Sequence, residues 1–101
     1  MNNKKKGTSL FPRISIFRSN KYIYVQIIDD IKRNTIISYS SLKIRNKKIT
    51  KIEYSKIVGK KIAKKMLKIN IKKAFFDRNK YKYHGRIKIL IENIRKGGIE
   101  I

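Results

Sequence analysis

The chain has no cysteine and no tryptophan, one proline, one histidine and only six acidic residues in 101. Each shortage closes a class. Without cysteine there is neither a disulfide framework nor a thiolate metal site. One histidine and six scattered carboxylates (Asp29, Asp30, Glu53, Asp77, Glu92 and Glu100) leave few ways to assemble a catalytic or metal centre. No apolar run approaches the roughly 18 to 20 residues of a membrane span. The opening residues Met1 to Lys6 carry no apolar stretch of the secretory kind.

Positive charge is what the chain has in excess. Lysine and arginine total 28, for a net charge of +22. Hydrophobic residues make up 41% and recur at regular spacing, too many for a disordered tail. The length suits one domain. A compact body with this self-repulsion is most easily understood if a polyanion neutralises it. Isoleucine appears 21 times, lysine 21 times and asparagine eight times, while alanine appears twice. AT-rich coding explains lysine in place of arginine and isoleucine in place of valine or leucine. It does not explain the shortage of acids, so the positive charge reads as selected and its lysine flavour as drift.

The patterning predicts one alternating plan. Residues 13–18 alternate and are β-branched, which predicts a strand; Ser19, Asn20 and Lys21 are turn residues. A second strand is predicted over 22–29, with Ile23, Val25 and Ile27 on one face and Tyr22, Tyr24, Gln26 and Ile28 on the other. Asp30 to Asn34 then turns into a third strand over 35–40, completing an antiparallel meander with one apolar and one polar face. After a basic loop, Thr50 and Glu53 form a capping box for a helix running to about Ile69. Its stripe is Tyr54, Val58, Ile62, Met66 and Ile69, with the Lys65 stem snorkelling. Asn70 suits a left-handed cap that Ile71 closes over. A short strand over 72–76 and a helix from Gly85 to Gly97-Gly98 follow; Ile87, Leu90, Ile91 and Ile94 form that helix's stripe. A short terminal strand over 99–101 is possible by pattern. The expected fold is α/β in the order β-β-β-α-β-α, with helices on the apolar sheet face. Residues 1–11 are expected to be a flexible basic stub and 12–101 a single domain.

Three features could carry chemistry. The first is the stretch from Asp77 to Arg86, between a strand end and a helix N-terminus. Arg78, Lys80, Lys82 and Arg86 offer cations, and Tyr81, Tyr83 and His84 offer flat rings. Cations interleaved with aromatics suit RNA, whose phosphates need neutralising and whose splayed bases stack. The bland alternative is a solvated loop. The second is the hairpin, where Arg13, Arg18, Ser19, Asn20 and Lys21 adjoin the polar strand face of Tyr24 and Gln26; here turn chemistry and packing compete evenly with RNA contact. The third is the helix bearing Lys51, Lys56, Lys60, Lys61, Lys64, Lys65 and Lys68, read mainly as a solvated face.

Catalysis is weakly supported. Asp29, Asp30 and Asp77 lie at predicted strand ends, where a Mg²⁺-dependent nuclease could hold its metal. Asp29-Asp30 is equally good turn chemistry, and His84 has no serine or cysteine partner at a recognisable spacing. The expectation is no enzyme, no metal, no cofactor and no small-molecule substrate.

Two stretches resemble a known family. PRISIFRSNKYIYVQIID (Pro12 to Asp29) and FDRNKYKYHGR (Phe76 to Arg86), with Ile57-Val58-Gly59-Lys60 and Ile71-Lys72-Lys73 between them, resemble the bacterial-type large-subunit ribosomal protein L-eighteen family. The resemblance runs from Pro12 to the C-terminus. It implies a small α/β domain with a mixed sheet. It also implies binding to 5S ribosomal RNA, attachment of that RNA to large-subunit rRNA in the central protuberance, and a neighbouring ribosomal protein L-five. By resemblance, RNA contacts fall on Arg18, Ser19, Asn20, Lys21, Tyr24 and Gln26 of the hairpin, and on Arg78, Tyr81, Lys82, Tyr83, His84 and Arg86 in the loop. The expected RNA-binding set also includes Arg13, Lys80 and Gly85. The family usually has a longer arginine-rich arm where this chain has Lys4, Lys5 and Lys6, and often two glycines where Asn79 and Lys80 stand. A short arm and AT-type composition together suggest a reduced genome or an organelle. The expected location is the ribosome of a bacterium or of an organelle of bacterial origin. The alternative from another class is a non-specific DNA-compacting basic protein.

Overall fold

A computed structural model describes residues 6–44, 48–76 and 84–101. Its elements are β1 (Arg13–Arg18), β2 (Ile23–Asp29), β3 (Asn34–Ser40), a 3₁₀ turn (Ser41–Lys43), α1 (Lys51–Lys68), β4 (Phe75–Phe76) and α2 (Gly85–Lys96). The strands form one sheet in the order β3-β2-β1-β4. β1, β2 and β3 pair antiparallel, while β4 joins β1 in parallel after crossing over through α1. The sheet is mixed, as a helical crossover between parallel strands requires. The expected α/β order holds.

Strand alternation sorts the sheet into two faces. Ile14 and Ile16 of β1 and Ile23, Val25 and Ile27 of β2 are buried beneath the helices, with Val58, Ile62 and Met66 of α1 and Ile87, Leu90, Ile91 and Ile94 of α2. Asp29 is 2% exposed, yet its Oδ1 accepts from the backbone N–H groups of Ile31 and Lys32, both at 3.0 Å. That turn lets the chain reverse into β3, with Arg33 in the left-handed region at φ 55°.

Both helices end in the same way. Asn70 has φ 64°, its N–H reaches Leu67 O at 3.1 Å, and the Ile71 N–H reaches Met66 O at 2.9 Å. In α2, Gly98 has φ 106°, its N–H reaches Arg95 O at 3.0 Å, and the Ile99 N–H reaches Ile94 O at 3.4 Å. Each is a Schellman motif, with a buried isoleucine (Ile71 or Ile99) closing over the turn. At the start of α1, Thr50 Oγ1 accepts from the Glu53 N–H at 3.1 Å, as the capping box predicts.

Two expectations need correction. The α1 stripe is displaced: Ile69 is 46% exposed and Tyr54 half-buried, whereas Ser55, Gly59 and Ala63 are fully buried. The reason is α2, which crosses so closely that a Cβ at Gly59 would lie 2.6 Å from Leu90 O. A Cβ at Gly97 would likewise meet the Ala63 methyl at 2.5 Å. Small side chains make this seam, and its two polar members bond within their own helices: Ser55 Oγ to Lys51 O at 3.1 Å and Asn93 Nδ2 to Ile89 O at 2.8 Å. The strand expected over 72–76 is also shorter. Only Phe75 and Phe76 pair with β1, because Lys73 instead makes a parallel bridge to Glu100 of the terminal segment.

Candidate nucleic-acid interface

The β1–β2 hairpin is closed by Ser19. Its N–H donates to Tyr22 O at 2.9 Å, and its Oγ accepts from the N–H of Tyr22 at 3.2 Å and of Lys21 at 3.4 Å. The backbone is therefore held, while the side chains of Arg18, Asn20 and Lys21 are exposed. The Ser19 carbonyl is left facing α2, and Arg86 Nη2 donates to it at 3.0 Å across 67 residues of sequence. This bond joins the hairpin cluster to the start of α2.

It also gathers like charges. Burial holds the Arg86 guanidinium below its ordinary pKa, and the positive charge of Arg18 pushes in the same direction. Folding has thus placed Arg18 where its charge disfavours that of Arg86, an arrangement that an approaching anion would relieve. His84 precedes the helix as its extended cap residue at φ −155°, with its ring exposed. Gly85 has φ 58° with open space around it, so the sign of φ, rather than crowding, calls for glycine there. Of the loop residues named above, Arg78, Lys80, Tyr81, Lys82 and Tyr83 lie outside the described residues.

Tyr24 and Gln26 lie on the sheet face away from the helices. Gln26 Nε2 donates to Tyr24 Oη at 3.3 Å and to Thr35 Oγ1 at 3.4 Å, which fixes the tyrosine ring's outer edge. Arg13, at the other end of β1, has a different neighbour. Its Nε and Nη2 form a fork on the Asp30 carboxylate at 2.9 and 3.0 Å. The same carboxylate accepts from the Gly7 N–H at 2.7 Å, and the Asp30 N–H donates to Gly7 O at 2.7 Å. The fork holds the Asp30 carboxyl below its ordinary value of 3.8; burial opposes this shift, and the Gly7 N–H and the Lys6 charge add to it. Gly7 is buried so tightly that a Cβ would lie 2.4 Å from Arg13 N. Sequence reading missed this junction, for which only the run Asp29-Asp30 was a signal.

Two of the three strand-end carboxylates are engaged within the fold: Asp29 caps a turn and Asp30 holds an arginine. Among the described residues no three histidine, cysteine, aspartate or glutamate side chains cluster to hold a metal ion. Asp77 lies outside the described residues. The seven α1 lysines are all exposed, and Lys65 reaches to 5.9 Å from the Tyr39 ring, with Lys43 at 5.7 Å. No described helix is long and apolar enough to cross a membrane.

The sequence also matches known proteins. Residues 1–101 match the family model described as "Ribosomal L18 of archaea, bacteria, mitoch. and chloroplast". A relative from Aster yellows phytoplasma, named large ribosomal subunit protein uL18, is 50% identical over 88% of this chain and 84% of its own length. Large ribosomal subunit protein uL18c of Guillardia theta is 51% identical over 97% of this chain and 95% of its own. The uL18 protein of Thermus thermophilus is 51% identical over 87% of this chain and 78% of its own.

Proposed function

The chain belongs to the ribosomal L18 family, and from that membership we propose that it binds 5S ribosomal RNA and holds it against large-subunit rRNA in the central protuberance, beside ribosomal protein L-five. Its broader role is that of a structural, non-catalytic constituent of the large ribosomal subunit, acting in translation in a bacterium or an organelle of bacterial origin.

The observation that carries the RNA reading is the Arg86–Ser19 bond. Hairpin and α2 start are far apart in sequence, yet they meet as one basic surface in a chain of net charge +22. Phosphates arriving there release counterions and relieve the repulsion between Arg18 and Arg86. In sequence, the residues just before Arg86 add three rings (Tyr81, Tyr83 and His84) and three cations (Arg78, Lys80 and Lys82), the residue types that stacking and phosphate contact call for.

The test is binding of the full chain to 5S rRNA across a salt series, with duplex DNA as competitor. Log K should fall by about 0.7 to 0.9 per phosphate contact for each tenfold rise in salt, and 5S rRNA should outcompete the DNA. Equal affinity for duplex DNA would establish the compacting-protein reading instead, and a flat salt response would overturn counterion release.

A further inference from the structure

The two edges of the sheet are finished differently. One edge ends in the two residues of β4 and the terminal segment, where Lys73 bridges Glu100 and the Glu100 N–H donates to Lys72 O at 2.8 Å. It is short and charged, as exposed edges usually are. The other edge is β3, seven residues long, and no described strand pairs with its outer side. Its residues begin the longest uncharged run in the sequence, from Asn34 to Leu42. A chain with 21 lysines places none along the strand where lysine would best block pairing with another chain. A register shift skips Ile36, but the ladder from Ile37 to Ser40 is regular.

We propose that the β3 edge is a protein-docking site, which takes up an extended, acidic segment of a neighbouring large-subunit protein as an added strand. An edge strand presents backbone N–H donors and C=O acceptors in alternation. A phosphate backbone could use only the donors, whereas an extended polypeptide satisfies both. Ile36, Ile37 and Tyr39 are half-buried against the core, so an added strand would extend an apolar layer that already exists. The charge beside this edge has one sign. Lys43 and Lys65 lie 5.7 and 5.9 Å from the Tyr39 ring, and Lys32 and Arg33 lead into the strand; all four are exposed. The acids next to them in sequence, Asp29 and Asp30, are engaged in a turn and with Arg13. Carboxylates on an incoming strand would balance these cations, whereas a second copy of this chain, at +22, would add to the repulsion. Such docking requires only the chain's place in the large subunit and is independent of which RNA it binds.

Hydrogen exchange over residues 34–42, read by mass spectrometry, tests the edge in three states: the free chain, the chain with 5S rRNA, and purified large subunits that contain it. The outward β3 amides should exchange equally fast in the first two states. In the subunit they should slow by about tenfold, the equivalent of one interstrand hydrogen bond of about 1.4 kcal/mol. A carbodiimide, which joins amines directly to carboxylates, tests the partner in the same subunits. Lys43 or Lys65 should crosslink to an aspartate or glutamate of another polypeptide. These crosslinks should vanish in the Lys43→Arg/Lys65→Arg variant, which keeps both charges and removes both amines.

Protection of the β3 amides by 5S rRNA alone overturns the proposal in favour of an RNA contact. Amides that stay fast in the subunit overturn it by leaving the edge unused, and a subunit without the carboxylate crosslinks overturns the acidic partner. Crosslinks to a second copy of this chain overturn it in favour of self-association. Failure of the chain to prefer 5S rRNA over duplex DNA would instead count against the RNA reading alone, because the expected protection arises only in the subunit.

Discussion

At one end of β1, Arg13 meets a carboxylate at 2.9 Å; at the other end, Arg18 meets a second arginine closely enough to disfavour its charge. The two residues belong to the same six-residue strand, and sequence alone treats them alike. The Arg13 end holds the molecule together: fork, Gly7 N–H and Gly7 carbonyl converge on Asp30 and tie the N-terminal segment to the sheet. At the Arg18 end two cations, Arg18 and Arg86, lie near each other beside an exposed turn. A chain with 28 cations and six acids has few carboxylates to distribute, and this one places Asp30 where it stabilises the fold and not where anions are expected to bind. The contrast separates an arginine bound within the fold from arginines proposed to meet RNA.

The strongest way to break that comparison is the double variant Arg18→Ala/Arg86→Ala. Affinity for 5S rRNA is expected to fall by about 2 kcal/mol at 0.1 M salt, and the salt slope by about 1.4 to 1.8, as for two phosphate contacts. Thermal stability should change little, because loss of the Arg86–Ser19 bond and removal of the repulsion act in opposite directions. An unaltered slope would mean that these arginines do not meet phosphates.

The opposite outcome is expected at the other end. Asp30→Ala should cost about 1.5 kcal/mol in denaturant unfolding, the range for hydrogen bonds to a charged group. RNA affinity should not weaken, since the lost charge is negative. If stability is unaffected, the fork contributes nothing and the two ends do not differ in kind.

A smaller effect sharpens the distinction through pH. The Asp30 carboxyl is held below its ordinary value of 3.8, so its contribution to stability is fully present above that value and is lost as pH falls through the lower, folded-state value. The stability difference between wild type and Asp30→Asn should therefore be constant from about pH 7 to pH 5 and shrink only in stronger acid. A difference that fades near neutrality would implicate another group.

Features with a local cause were legible in the sequence. Asn70 and Gly97-Gly98 marked both helix ends because a left-handed residue is needed within one turn of the helix. The apolar faces of β2 and α2 were legible because burial selects isoleucine at a fixed period. The α1 face was misread at Tyr54 and Ile69 for a different reason. A close helix crossing selects small residues, and Ser55, Gly59 and Ala63 look unremarkable until α2 is seen against them. The candidate site divides similarly. Clustered cations and aromatics announced the hairpin and the loop, but the Arg86–Ser19 bond spans 67 residues and leaves no periodic trace.

Periodicity and turn residues alone determined the strands, the helices and their order, since each depends on contacts within a few residues. Tertiary structure decided which acid holds Arg13 and which seam takes glycine. Those outcomes depend on distances between segments that approach one another only once the chain has folded.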